Sequence, residues 1–218
     1  MNNQHLIDNT KQFVKDTLKN AEGGHDWFHT ERVYKNALLI SKGETVNELV
    51  VELGALLHDI ADSKFNNGDD TIGPKIAAEF LVKQNVATDV INHVIKIIEN
   101  VSFSSNIDKT AAFHSKELEV IQDADRLDAL GAIGIARTFN YGGFKNRALY
   151  NPDIKPNLNL TKEEYKASTA PTINHFYEKL LLLKDKMNTK TGRKIAEERH
   201  NYMVDFLKQF YAEWHGEK

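Results

Sequence analysis

The 218-residue chain contains no cysteine, which excludes disulfide frameworks, zinc–thiolate centres and thiol nucleophiles. Any metal it binds must be held by nitrogen and oxygen. Only four prolines and 12 glycines interrupt it, so long uninterrupted helices are available. No apolar run approaches the ~20 residues of a membrane span; the longest aliphatic stretch is Leu180 to Leu183. Neither charge sign is in excess enough to mark a nucleic-acid binder: 28 basic and 31 acidic residues leave a net charge of −3. The segment Met1 to Thr10 lacks the apolar core of a signal peptide, so a soluble, cytoplasmic chain is expected. What the chain does have is nine histidines and enough apolar residues, 41%, to bury a sizeable core.

Apolar spacing predicts helices throughout, with no convincing strand. The first runs from about Gln4 to Ala21, with Leu6, Phe13 and Leu18 inward. A second starts near Phe28 with Val33, Ala37 and Ile40 on one stripe. A third, about Val46 to Ala61, is apolar nearly all round, as a central helix is. Pro74 sits well as the first residue of a fourth, and Thr88 as the cap of a fifth. A sixth is predicted to run unbroken from Ser115 to Phe139. Thr161 and Glu164 form a capping box. Pro171 opens a helix reaching Met187, and Thr191 opens the last. The segment from Asn140 to Leu160 reads as one long irregular loop, whose Gly142-Gly143 pair permits unusual backbone angles. The Leu180–Leu183 run, Phe206, Phe210 and Trp214 are either core or a homodimer contact. The whole chain, 1–218, reads as one all-α helical bundle.

The informative residues are polar ones lodged in apolar helices. His58-Asp59 ends the most hydrophobic helix, where a carboxylate is costly unless paired or bound to a cation. His29 shares the inward stripe of the second helix. In QDADRLDALGAIGIA, three carboxylates interrupt an apolar run. Asp125 shares a face with Ile121, while Asp123 reads as an outer-shell residue of the site or a surface residue and Asp128 as a partner of Arg126 or Arg32. Two imidazoles and two carboxylates from three helices make a site for one divalent transition metal. A His-Asp dipeptide alone carries little weight. Chance gives about 0.6 per chain of this composition, and His25-Asp26 is a second example.

In its context, however, the order H…HD…D resembles the HD-domain superfamily of metal-dependent phosphohydrolases. The match reads His29 in GHDWFHTERV, His58 and Asp59 in LGALLHDIAD, and Asp125 in QDADRLDA. It gives a metal-binding core at about 23–130. ARTFNYGG, INHFYEKLLLLKDKMNT and TGRKIAEERH, in and before C-terminal helices at about 161–215, are similar to a small bacterial YedJ-like subgroup.

The resemblance implies an all-helical HD-type fold and one ion held by His29, His58, Asp59 and Asp125. Mn, Fe, Co, Ni or Zn suits that donor set better than Mg. It also implies hydrolysis of a phosphoester, with nucleotides among the candidates, by a metal-activated water. An acidic residue close after the pair belongs to the pattern, and Asp62 fills that place as the catalytic group. Lys64, Arg126 and Arg147 are the basic residues expected to meet substrate phosphate. His25, four residues before His29, could line the pocket. The expected partner is a small phosphorylated molecule, with no nucleic acid and no membrane. The alternative is a sensory or ligand-binding HD domain that keeps the ion and turns over little.

Overall fold

A computed structural model describes residues 3–19, 25–61, 69, 71–101, 113–161, 164 and 167–218. Among the described residues the secondary structure is entirely helical. The chain divides into two compact units: residues 1–125 with 188–192, and residues 126–187 with 193–218.

In the first unit, α1 (Asn3–Thr17) buries Leu6, Ile7, Thr10 and Val14, one stripe at helical spacing. Phe13 stacks on Phe80 with ring centroids 4.1 Å apart. Helix α2 (Trp27–Ser41) starts where the Asp26 carboxylate accepts the His29 amide hydrogen, an N-cap that satisfies an otherwise open donor. Helix α3 (Glu48–Leu57) is capped by Asn47 and buries Val50, Val51 and Leu53 to Leu57. It is shorter than the predicted 46–61 but central, as its all-round apolarity requires. Each such leucine or valine contributes about 1.5–3 kcal/mol on burial.

Helices α4 (Ile72–Lys83) and α5 (Thr88–Asn100) follow. Pro74 is the third residue of α4, behind Thr71, Ile72 and Gly73. Thr88 is the first residue of α5 and Ala87 its cap position, so neither plays the exact terminal part predicted for it. Helix α6 (Lys116–Asp128) approaches α3 closely at Gly54, where an added Cβ would lie 2.6 Å from the Ile121 Cδ1.

The predicted sixth helix is broken. Leu130 is extended (φ −116°, ψ 158°) and Gly131 left-handed (φ +72°), and a new helix, α7 (Gly131–Phe144), begins. The break lets the chain fold back on itself, and Asp128 pairs with Arg137. Because α7 runs to Phe144, the start of the expected Asn140–Leu160 loop is helical. Gly142 is there for close approach: a Cβ would meet the Thr172 Oγ1 at 2.2 Å. The left-handed residue that ends this helix is Asn146 (φ 52°).

The segment expected to be one helix from Pro171 to Met187 is instead α8 (Asn174–Glu178) followed by a 3₁₀ turn, Leu180–Lys186. The 3₁₀ winding sends Leu180 and Leu183 inward, three apart as that geometry dictates, and leaves Leu182 exposed. The last helix, α9 (Lys190–Trp214), is capped by Thr189, whose hydroxyl accepts from the Gly192 amide, rather than by Thr191. Phe139, Phe176, Phe206 and Phe210 form an aromatic core in the second unit, with Trp214 at its half-exposed end. The Thr161–Glu164 capping box makes both of its reciprocal bonds, at 2.8 and 3.2 Å. No helix among the described residues is long and apolar enough to cross a membrane.

Candidate metal centre

The site is built inside the first unit from α2, the end of α3 and α6. Asp26 fixes the first turn of α2 and thereby the position of His29, which is 3% exposed. His58 is the C-cap of α3 and is buried. Its Nδ1 lies 2.9 Å from the Ala55 carbonyl, a helix-end oxygen that needs a donor. The bond assigns the proton to Nδ1 and leaves Nε2 as a lone pair. One turn before the end of α6, Asp125 puts Oδ1 3.5 Å from His29 Nε2. Two ligands each ~2.1 Å from one ion, at a near-tetrahedral angle, stand about that far apart.

The four predicted ligands fall into two overlapping groups. His29, His58 and Asp125 bring donor atoms within 4.8 Å of one another, and so do His25, His29 and Asp59. The His29 ring lies edge-on to both His58 and His25, at 5.5 and 5.9 Å between centroids. Asp59 is turned toward His25, whose Nδ1 is 2.5 Å from Oδ2. Burial alone would raise the Asp59 pKa. The His25 hydrogen bond and the fields of His58, His25 and His29 outweigh it and hold the carboxyl below its ordinary value. The donor set fits a divalent ion: imidazole nitrogen whose ring is oriented by a backbone carbonyl, and carboxylate oxygen kept ionised.

His25 is the site residue that the sequence undervalued. The signal was its position four residues before His29, but helical spacing does not apply to it, because it precedes the Asp26 cap. Asp62 and Lys64 lie outside the described residues. Arg126 follows Asp125 on α6. Arg147 belongs to the second unit, where its guanidinium donates to the Ser168 carbonyl at 2.6 Å and lies over the Tyr141 ring.

Asp123 is not a surface residue. It is fully buried, and its carboxylate accepts from the Asn188 and Thr189 amides and the Thr189 hydroxyl at 2.8–3.0 Å. Glu44 holds the amide and hydroxyl of Thr191 in the same way.

Histidines and aspartates gathered from three helices of an all-α unit define the HD class of metal-dependent phosphohydrolases. The HD domain family profile matches residues 27–130. A solved HD-superfamily hydrolase from Bacillus thuringiensis is 43% identical, covers 98% of both chains and superposes with a TM-score of 0.79. The uncharacterised protein YpgQ of Bacillus subtilis (strain 168) is 37% identical over 201 residues, 91% of this chain and 89% of YpgQ. A crystal structure of Bacillus subtilis YpgQ in complex with ADP shows 34% identity, covers 98% of this chain and 97% of its own, and has a TM-score of 0.77. The chain belongs to the HD superfamily and is a phosphohydrolase of that kind.

Proposed function

We propose that the protein hydrolyses a phosphate bond of a nucleotide, using one divalent ion held by His29, His58, Asp59 and Asp125. The observation that carries the reading is the pairing of His29 Nε2 with Asp125 Oδ1 beside a His58 whose Nδ1 is committed to Ala55. An ion bound there polarises a phosphoryl oxygen and lowers the pKa of bound water, and Mn, Fe, Co, Ni or Zn suits the donors. Support for a nucleotide substrate comes from the ADP complex of YpgQ.

The chain's own residues do the rest. The Ala55 carbonyl keeps the His58 ring oriented, and the Asp26 cap keeps His29 at the head of its helix. His25 steers Asp59. Asp62 takes the proton of the attacking water or orients it, and Lys64, Arg126 and Arg147 meet the phosphate charge.

The test is a pair of variants assayed on nucleoside mono-, di- and triphosphates with several metals. Asp59→Asn should lose bound ion by elemental analysis. Asp62→Asn should keep the ion and lose ~10²–10⁴-fold in kcat. Full turnover in Asp62→Asn at full occupancy removes Asp62 from the chemistry. Full ion content in Asp59→Asn removes Asp59 from the ligand set.

A further inference from the structure

The second unit carries a small basic pocket around Arg147. It is lined by Tyr141, Lys145, Asn146, Arg147, Ser168 and Thr169 and holds about 270 Å³. Its shape comes from the way α7 stops. The Arg147 amide donates to the Gly142 carbonyl at 2.8 Å and the Asn146 amide to the Gly143 carbonyl at 3.0 Å, with Asn146 left-handed between them. This is a Schellman termination, and it satisfies the last carbonyls from the backbone alone.

The side chains of Lys145 and Arg147 are therefore not needed to cap the helix. Both reach the same aromatic ring instead: the Lys145 Nζ lies 5.8 Å and the Arg147 guanidinium 5.6 Å from the centre of Tyr141. Lys145 also lies 5.1 Å from the Phe144 ring. Arg147 uses one nitrogen to hold the Ser168 carbonyl, which keeps its fork in place. Among the described residues no carboxylate pairs with either cation.

Two cations held around one ring, with no acid among the described residues to offset them, repel each other. An anion between them removes that cost, and a guanidinium held in place presents a pre-organised fork to planar or tetrahedral oxyanions. Ser168 and Thr169 complete the lining. The volume suits a phosphate or diphosphate group.

We infer that this pocket binds the phosphate group of a phosphorylated small molecule through Lys145 and Arg147. The inference deepens the reading of Arg147 as a substrate contact by adding Lys145 and the pocket itself. It stands on the geometry of the second unit, not on the metal centre.

The probe is inorganic pyrophosphate, titrated calorimetrically into the full chain with EDTA present so that no ion contributes. Binding should weaken about tenfold or more in Lys145→Gln and in Arg147→Gln, the loss expected for one charge-assisted contact. It should be unchanged in Asp59→Asn. Lys145 is exposed, so its variant keeps the fold even if loss of the Ser168 contact loosens Arg147→Gln. No measurable binding by the unaltered protein, or equal affinity in Lys145→Gln, overturns the pocket, whatever the ion content of Asp59→Asn says about the metal centre. Steady-state kinetics with a nucleotide then separate the two sources of phosphate. A raised KM in Lys145→Gln assigns the pocket to the substrate. An unchanged KM with weakened pyrophosphate binding assigns it to a separate phosphorylated ligand.

Discussion

His25 Nδ1 stands 2.5 Å from Asp59 Oδ2, so a histidine outside the predicted quartet holds one of the quartet's carboxylates. Partners that orient ligands in this way are worth ~10–100-fold in metal affinity. His25→Ala should weaken divalent-ion binding by about that factor in a chelator-competition titration. Its ring is partly exposed, so the melting temperature of the ion-free protein should hardly change. Unchanged affinity would leave the contact without a part in the site.

The clamp on Asp123 predicts a large stability effect far from any chemistry. Asp123→Ala leaves the Asn188 and Thr189 amides and the Thr189 hydroxyl without their acceptor in a buried place. The expected cost is about 3 kcal/mol or more in urea unfolding. Asp123→Asn keeps one oxygen acceptor and should fall between the two. A loss below about 1 kcal/mol in the alanine variant would mean that water replaces the carboxylate.

Glycine-to-alanine changes inside a helix ordinarily stabilise by about 0.5–1 kcal/mol. At the start of α7 the sign should reverse. Gly131 is left-handed, which costs an L-residue about 1–2 kcal/mol, and an added Cβ would press on Arg199 at 3.1 Å. At Gly134 the Cβ would lie 2.2 Å from the Ala129 carbonyl oxygen, a backbone atom that cannot step aside. Gly134→Ala should be the more damaging of the two by thermal or urea unfolding.

His175 supplies the pH prediction. Burial, and then the positive charges of Lys179 and Arg147, push its pKa from 6.5 down to about 4. The unfolded chain therefore binds a proton that the folded chain refuses between those values. This contribution is whole above pH 6.5 and is lost as pH falls toward 4. From pH 7.5 to 4.5 it amounts to about 2–3 kcal/mol. Urea midpoints at the two pH values should differ less in His175→Gln than in the unaltered protein. An identical difference would show that His175 is not the group responsible.

What the sequence made legible was set by local pattern. His29 and His58 stand out because an imidazole on an apolar stripe has few other uses, and both are buried beside each other. Helix content was equally plain from spacing. The break at Leu130–Gly131 was not, because LDALGAIGIA has helical apolar spacing on both sides. Only the left-handed glycine marks the corner. Asp123 and Asp125 look alike in QDADRLDA, yet one is fully buried and the other has its side chain 45% exposed. Their difference is decided by residues about 65 positions further on, which no local pattern encodes. His25 was hidden for a related reason: its partner Asp59 lies 34 residues away, in another helix's terminus.

The return of residues 188–192 to the first unit has a consequence for biosynthesis. The helix that bears Asp125 is made early, but the donors that accommodate neighbouring Asp123 are not made until Asn188 and Thr189 have been added. Until then a carboxylate destined for the interior faces an incomplete shell. The part of the chain that gathers the ligands is therefore finished late in translation, after the whole intervening segment 126–187 has emerged, and a nascent chain halted before Asn188 cannot close its own first unit.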